Sequence, residues 1–392
     1  MATVVESHFP FLPAFLFPDL LLLLLLPILS FLLLSLFLIL LRNRRPSVQL
    51  PPGPKPWPIL GNILHVGSMP HVTFARLSQA HGPLISLRLG TQLIVVGSSP
   101  DAASEILKTH DHELSGRSVP HVSFARDPEL NRDSIAWSTH CTDHWRSLRS
   151  MVRAELFTSK AVDQQSGIRE RQAREMARFL DRRRGEELLA AVSDTTSSSM
   201  EWALAELLKN PETMTAARRE FDDKFPKCHV IKESDLAYLP YLCACVKETL
   251  RLHPPAPLLL PRRAATDCHV MGYTVPKAAH VFVNVWAIGR DPRYWEDALS
   301  FKPERFLVGG SERDVDYKGS HFEFLPFGSG RRICSGLPMA VRKVQLAVAT
   351  LVHGFDWSLP AGMAAEELEM DERYGVTLMK LNPLVVIPTP RV

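Results

Sequence analysis

Cys334 stands in the run Phe327-Gly-Ser-Gly330-Arg-Arg332-Ile-Cys334-Ser-Gly336. Glycines let a backbone approach a sulfur closely and donate N–H bonds to it, which tunes a thiolate's strength as a metal donor. A guanidinium fixed nearby, such as that of Arg332, offers charge-assisted hydrogen bonds to a carboxylate on the same ligand. Thiolate, glycines and arginines together suit an iron porphyrin held through cysteine. The competing reading is a buried structural cysteine in a loop. The other cysteines supply no zinc-type pairing, since Cys243 and Cys245 are only C-x-C and Cys141, Cys228 and Cys268 are scattered.

Three further groupings carry chemistry. Glu248-Thr-Leu-Arg251 sets acid and base one helical turn apart, where they can pair. Glu175/Arg178 and Glu129/Arg132 share that spacing, so context must separate them. Only Glu248/Arg251 precedes a His-Pro-Pro turn and, further on, Pro303-Glu-Arg305-Phe306. Trp145 and Arg149 lie at i and i+4 of an expected helix and so share a face. In Ala191-Val-Ser-Asp194-Thr195-Thr196 an acid adjoins a hydroxyl, a pair able to relay protons. A helix start capped by Ser193 or Asp194 accounts for the same letters.

Taken in chain order, these runs resemble the cytochrome P450 family. The cysteine loop is similar to its haem-binding signature, which implies haem b with Cys334 as axial ligand and Phe327, Gly330, Arg332 and Gly336 as fixed positions. The resemblance further implies that Glu248, Arg251 and Arg305 form a buried ionic triad behind the loop, structural in role. It assigns Trp145 and Arg149 to a haem propionate, and places Arg117 and Arg262 where relatives keep propionate-binding side chains. Asp194-Thr195 looks like the oxygen-activation motif, with Thr195 hydrogen-bonding at the distal oxygen and Asp194 linking that relay to solvent. Substrate-facing groups would fall in Val119 to Ala125, Ala256 to Leu260 and Tyr374 to Thr377. The hinge wording and the Asp-Thr-Thr-Ser-Ser run look like the microsomal plant branch that acts on alkaloids, terpenoids and phenolics. The implied reaction is O₂- and NADPH-dependent hydroxylation of a small lipophilic substrate, with oxidative coupling as a variant. Electrons would come from NADPH–cytochrome P450 reductase, for which Arg331, Arg342 and Lys343 are candidate docking charges. A solvated charged helix explains those three equally.

The elements that must position these groups read as mainly α with a small β subdomain, the P450 fold. Helices are expected over 73–80, 100–109, 144–157, 211–225, 239–252 and 336–354. Leu84 to Leu89 and Gln92 to Val96 flank Gly90-Thr91 as a hairpin. Strands are expected at 269–275 and 280–285, joined through Pro276-Lys277, and near the C-terminus over 367–387.

The N-terminal part is organised differently. Leu20 to Leu41 is apolar except for Ser30 and Ser35, and ~22 helical residues span roughly 33 Å, enough for a bilayer core. No Lys or Arg precedes Arg42, whereas Arg42, Arg44 and Arg45 follow the run. That asymmetry predicts a transmembrane signal anchor at 20–41 with a lumenal 1–19 and a cytosolic remainder, at the endoplasmic reticulum by the resemblance. A cleaved signal peptide would instead begin with basic residues and carry a shorter apolar run. Residues 42–58 read as a basic, proline-rich hinge, and 59–392 as the haem-binding catalytic domain. The net charge of +3 from 45 basic and 42 acidic residues gives no case for nucleic acid.

Two departures from the family pattern stand out. Val192 occupies a position where relatives keep glycine, and its side chain should crowd the distal pocket. Arg182-Arg-Arg-Gly-Glu-Glu187 stands where a long apolar half-helix is expected, and the chain is short of the family by something on the order of a hundred residues. The shortfall localises to a gap near 184–190. The alternative expectation is therefore a truncated, catalytically impaired, membrane-anchored haem protein.

Overall fold

Prolines and N-cap side chains start most of the helices that carry the site. Pro100, Pro211 and Pro240 each occupy the first turn of a helix, where a missing N–H costs nothing. Ser99 and Thr142 cap the next-but-two backbone N–H groups, of Ala102 and Trp145, at 3.1 Å each. The computed structural model describes residues 25–37, 49–119, 134–189, 195–307, 315–360 and 362–391. Residues 1–49 and 50–392 form separate compact units.

In the first unit, residues 25–37 are helical. Among the described residues no helix is long and apolar enough to cross a membrane. The ends of the expected 20–41 span lie outside the described residues.

The second unit is mostly helical, with small sheets. Its largest apolar core joins the helices Thr195–Lys209, Pro211–Asp222, Pro240–Leu252 and Leu337–Gly354 through Leu207, Phe221, Leu242, Val246, Leu346 and Val352. A five-stranded sheet runs in the order Leu84–Leu89, Gln92–Gly97, His280–Val283, Arg262–Arg263, Gly116–Arg117. The first pair is the expected hairpin, closing with Leu89 opposite Gln92. The last pair sets Arg117 opposite Arg262.

Three local expectations are corrected. Residues 268–275 are a hairpin of their own, Cys268–Val270 against Tyr273–Val275, turning at Met271 (φ 50°) and Gly272 (φ 81°). Both central residues lie in the left-handed region, as a type I′ turn requires. His280–Val283 therefore pairs elsewhere, parallel to Gln92–Gly97. The 100–109 helix is α only over Pro100–Ser104 and becomes a π-turn at Glu105–Thr109.

The proline run is not a free spacer either. Ser86 donates its N–H to Pro52 O at 2.9 Å and its hydroxyl to Pro51 O at 2.6 Å. Asn62 Nδ2 holds Pro54 O at 3.1 Å. With φ already fixed by the prolines, the run loses little conformational entropy on docking to these donors.

Candidate active site

The cysteine loop is held from within by backbone bonds. Cys334 N–H donates to Phe327 O at 3.0 Å, Ile333 N–H to Gly330 O at 3.1 Å, and Ser329 hydroxyl to Gly319 O at 2.6 Å. Gly330 has φ 71°, and a Cβ there would lie 2.2 Å from Leu107 O. Glycine is required at that position by both conformation and space. Gly336 is different: a Cβ would meet nothing closer than Cys334 Sγ and Phe157 at 3.9 Å. Burial pushes the Cys334 thiol up, while N–H groups of Gly336 and Leu337 and the Arg149 charge pull it down. These are the groups that favour a thiolate.

Cys334 faces a cavity of about 500 Å³ that Thr195, Thr196 and Ser199 also line. Thr195 lies in the helix Thr195–Lys209, and its carbonyl accepts the Ser199 hydroxyl at 2.8 Å. Asp194 and Val192 lie outside the described residues. Of the expected substrate-facing segments, Ala256, Leu259, Leu260, Val376 and Thr377 reach the same cavity, whereas 120–125 are not described. Glu372, just ahead of Val376, accepts hydrogen bonds from His71 and His253 at 3.2 Å, Arg290 at 3.1 Å and Trp286 at 2.9 Å. That carboxylate pins the segment to three other elements.

Four guanidinium groups, of Arg117, Arg149, Arg262 and Arg332, converge on this cavity. Arg332 is oriented by Ser115 O (3.1 Å), Ile135 O (3.0 Å) and Ser138 O (2.7 Å). Arg149 donates to Ile333 O, next to the cysteine. Arg117 bonds Leu260 O at 2.6 Å, yet its Nε is buried without a partner. Burial, followed by the charges of Arg262 and Arg332, pushes the Arg117 guanidinium well below its ordinary value. Like charges gathered round an orphaned donor call for an anionic ligand. A flat group with two carboxylates and a metal for the sulfur meets that need, so the residues present fit haem.

Trp145 is placed otherwise than expected. It is buried and does not line the cavity; its indole N–H is committed to Ile135 O at 2.9 Å. Its ring instead lies under Arg332, 4.4 Å away, and Arg149, 5.4 Å away, so it orients the cations.

Behind the loop, Glu248, Arg251 and Arg305 meet, all buried. Arg251 grips Glu248 bidentately at 2.7 Å and 2.7 Å, and Arg305 Nε reaches Glu248 Oε1 at 3.0 Å. The candidate docking cations are mostly engaged. Arg331 pairs with Asp111 at 3.0 Å, and Arg342 with Asp163 and, at 3.8 Å, Glu233. Asp111 was not among the residues the sequence singled out. Its one signal is an acid just after the 100–109 helix, with basic residues of the cysteine loop needing a counter-charge.

A sulfur ligand, a helix face rich in hydroxyls and a basic rim on one cavity describe a pocket for a haem-thiolate protein. The family model described as Cytochrome P450 matches residues 51–188 and 182–386. The protein described as "Probable (S)-N-methylcoclaurine 3'-hydroxylase isozyme 2" of Coptis japonica is 41% identical over 480 aligned residues, covering 91% of this chain and 96% of that one. (S)-N-methylcoclaurine 3'-hydroxylase isozyme 1 of Papaver somniferum is 37% identical, covering 87% of this chain and 95% of that one. A solved zebrafish cytochrome P450 with abiraterone superposes with a TM-score of 0.71 at 22% identity, covering 83% of this chain and 100% of that one, which shows the shared fold. The chain belongs to the cytochrome P450 family. It is a monooxygenase of that family, with haem whose iron is coordinated by a thiolate.

Proposed function

We propose that this chain hydroxylates a small lipophilic plant metabolite, of benzylisoquinoline-alkaloid type, with Cys334 as the iron ligand. The observation that carries the reading is that Cys334, Thr195 and four guanidinium groups line one cavity. When bound, haem supplies the activation of O₂ and the transfer of one oxygen atom to a C–H bond. Cys334 would hold the iron, its sulfur tuned by the Gly336 and Leu337 N–H groups. Arg117, Arg149, Arg262 and Arg332 hold the propionates, and Trp145 holds two of those cations in place. Glu248, Arg251 and Arg305 fix the frame behind the loop. With haem bound, the Thr195 hydroxyl would hold and pass on a proton in the cavity, with Asp194 as its proposed link to solvent. The substrate class rests on the relatives that hydroxylate N-methylcoclaurine, and on an apolar lining of Ala256, Leu259, Leu260 and Val376.

Electrons come from NADPH–cytochrome P450 reductase, and residues 20–41 anchor the chain in the endoplasmic reticulum membrane with 50–392 in the cytosol. The apolar run and its flanking Arg42, Arg44 and Arg45 support that orientation.

A second reading has its own support. The alignment to the Coptis relative spans 480 positions but holds only 91% of a 392-residue chain, so about a quarter of its columns belong to the relative alone. The family model is matched in two pieces that meet at 182–188. Substrate-roofing segments are then missing at this junction, and the chain is a haem protein with impaired turnover.

One experiment separates the two. The reduced, membrane-expressed protein is examined by its carbon monoxide difference spectrum and by NADPH consumption with a benzylisoquinoline present. A red-shifted thiolate-type Soret band, lost in Cys334→Ala, with substrate-dependent NADPH consumption is expected. The band without that consumption establishes the second reading. A blue-shifted or absent band overturns the haem-thiolate assignment for this chain.

A further inference from the structure

We propose that Asp111 is a positioning residue for the cysteine loop, clamping it at Gly330 so that Cys334 is presented at a fixed height. The inference rests on Cys334 being the iron ligand. Asp111 Oδ2 accepts the Arg331 backbone N–H at 2.9 Å and Arg331 Nε at 3.0 Å, while Oδ1 accepts Arg262 Nη1 at 3.1 Å. Arg262 Nη2 in turn donates to Ser329 O at 3.3 Å. Ser329 and Arg331 flank Gly330, so one carboxylate and one guanidinium close a ring around that glycine.

The approach is too close for water. A Cβ on Gly330 would sit 2.9 Å from both Asp111 Cγ and Oδ1, and 2.2 Å from Leu107 O. Leu107 lies in the π-turn Glu105–Thr109, and Asp111 follows it by two residues, with His110 N–H donating back to Glu105 O at 2.8 Å. A π-turn adds one residue to a helical turn and so rotates what comes after it. Here that rotation delivers both the Leu107 carbonyl and the Asp111 carboxylate to the same glycine.

The clamp is coupled stiffly to the sulfur. Gly330 O accepts Ile333 N–H at 3.1 Å, and Cys334 N–H is tied to Phe327 O at 3.0 Å. Between Gly330 and Cys334 there is one short 3₁₀ turn, Gly330–Arg332, and little slack. A shift at Gly330 therefore moves Cys334. Asp111 also counters Arg262, whose guanidinium burial pushes down and the Asp111 charge pulls back up. Removing the carboxylate frees the Arg331 amide and leaves Arg262 as one more uncompensated cation at the rim.

The test compares wild type with Asp111→Asn, Asp111→Glu and, as a control, Asp163→Asn, which loses only the surface partner of Arg342. Two readouts are used: the ratio of thiolate-type to blue-shifted Soret band in the ferrous carbon monoxide complex, and hydrogen–deuterium exchange of peptides covering 327–336. Asp111→Asn should lower the band ratio at least threefold and raise exchange in that peptide about tenfold. Exchange over 240–252 should not change. Asp111→Glu, one methylene longer, should restore part of the ratio, and Asp163→Asn should match wild type in both. A wild-type ratio and wild-type exchange in Asp111→Asn would overturn the clamp. If wild type itself lacks the thiolate band, the haem assignment has failed, and the exchange measurement alone decides whether Asp111 holds the loop. A uniform rise in exchange throughout the domain would mean that Asp111 serves global stability, which also overturns the proposal.

Discussion

Glu248→Gln should be among the most damaging isosteric changes in this chain. Glu248 is wholly buried, and its two oxygens accept four hydrogen bonds. Oε2 takes Arg251 Nε at 2.7 Å; Oε1 takes Arg251 Nη2 at 2.7 Å, Arg305 Nε at 3.0 Å and the Lys302 N–H at 2.9 Å. All four partners are donors. A glutamine must therefore aim its NH₂ at one of them, and the cheaper choice is the Oε2 position, which loses one bond and creates one donor–donor conflict. The larger loss is electrostatic. Two guanidinium groups would remain buried with only carbonyls as partners, those of Gly289, Ala298, Ser300 and Glu296 and the glutamine's own. Removing one partner of a buried ion pair costs about 3–5 kcal/mol. A domain's whole margin is about 5–15 kcal/mol, so this is a third or more of it.

Arg305→Gln is the informative companion. It leaves the bidentate Arg251–Glu248 pair intact and forfeits one bond to the carboxylate, for a cost of about 1–3 kcal/mol. The double variant should cost less than the two singles added, because Arg305→Gln removes one of the cations that Glu248→Gln strands. Urea unfolding followed by tryptophan fluorescence reads the loss, Trp295, 5.2 Å from the Arg251 guanidinium, being one of seven tryptophans that contribute. If Glu248→Gln falls within 1 kcal/mol of wild type, or costs less than Arg305→Gln, then the triad is not a carboxylate balancing two cations and the reasoning fails.

Two further outcomes follow from single positions. Gly330→Ala should abolish the thiolate-type Soret band while Gly336→Ala keeps it. The first puts a Cβ 2.2 Å from a backbone oxygen at φ 71°, whereas the second finds 3.9 Å of room; equal spectra for the two would contradict the geometry. Glu372→Gln should cost about 3 kcal/mol at neutral pH, and less in acid. Burial would raise the Glu372 carboxyl, but hydrogen bonds from His253 and His71 and the Arg290 charge outweigh it and hold it below the carboxylate range. A depressed folded value stabilises above the ordinary carboxylate pKa and is lost as pH falls below it. The gap between wild type and variant should thus be flat above about pH 5 and narrow below about pH 4.5. A gap that widens in acid would contradict this.

How much of the site was legible depended on how local its causes are. The cysteine loop was readable because its glycines, arginines and cysteine fall in one short run, although the groups that require them, Leu107 O at Gly330 and the Ser115, Ile135 and Ser138 carbonyls at Arg332, come from distant segments. The triad was readable from motif order, since three Glu/Arg pairs share its spacing and only one has Arg305 downstream. Arg117 and Arg262 were placed by resemblance alone. What brings them together is strand register, Arg117 opposite Arg262 across a long sequence separation, which no periodicity encodes. Asp111 escaped notice for the same reason, its partners Arg262 and Arg331 being supplied by tertiary packing. Trp145 was correctly put beside Arg149 by the i, i+4 spacing, but spacing says nothing of where an indole N–H goes. The proline run reads as a spacer by composition, yet composition cannot reveal that Ser86 has donors free to bind it.

The two sides of the cavity differ in what supports them, and that difference decides what cofactor binding can prove. On the cysteine side every support named here lies within described segments that contact one another: Asp111, Arg262 and Arg149 on the loop, the triad behind it, and the Leu337–Gly354 helix running from it. On the other side, the helix Thr195–Lys209 carries Thr195 and the strand Leu188–Leu189 pairs with Val385–Val386, while 190–194 between them lie outside the described residues. Thr195 is exposed, whereas Ser199 is buried with its hydroxyl committed to Thr195 O. Under the second reading, a distal face open to water is compatible with an intact thiolate ligand, because the ligand's geometry is set from the opposite side. It is poorly compatible with coupled oxygen transfer, which needs protons delivered in order and solvent held back. Haem retention and turnover are thus separable properties of this chain, and a normal thiolate band carries information only about the first.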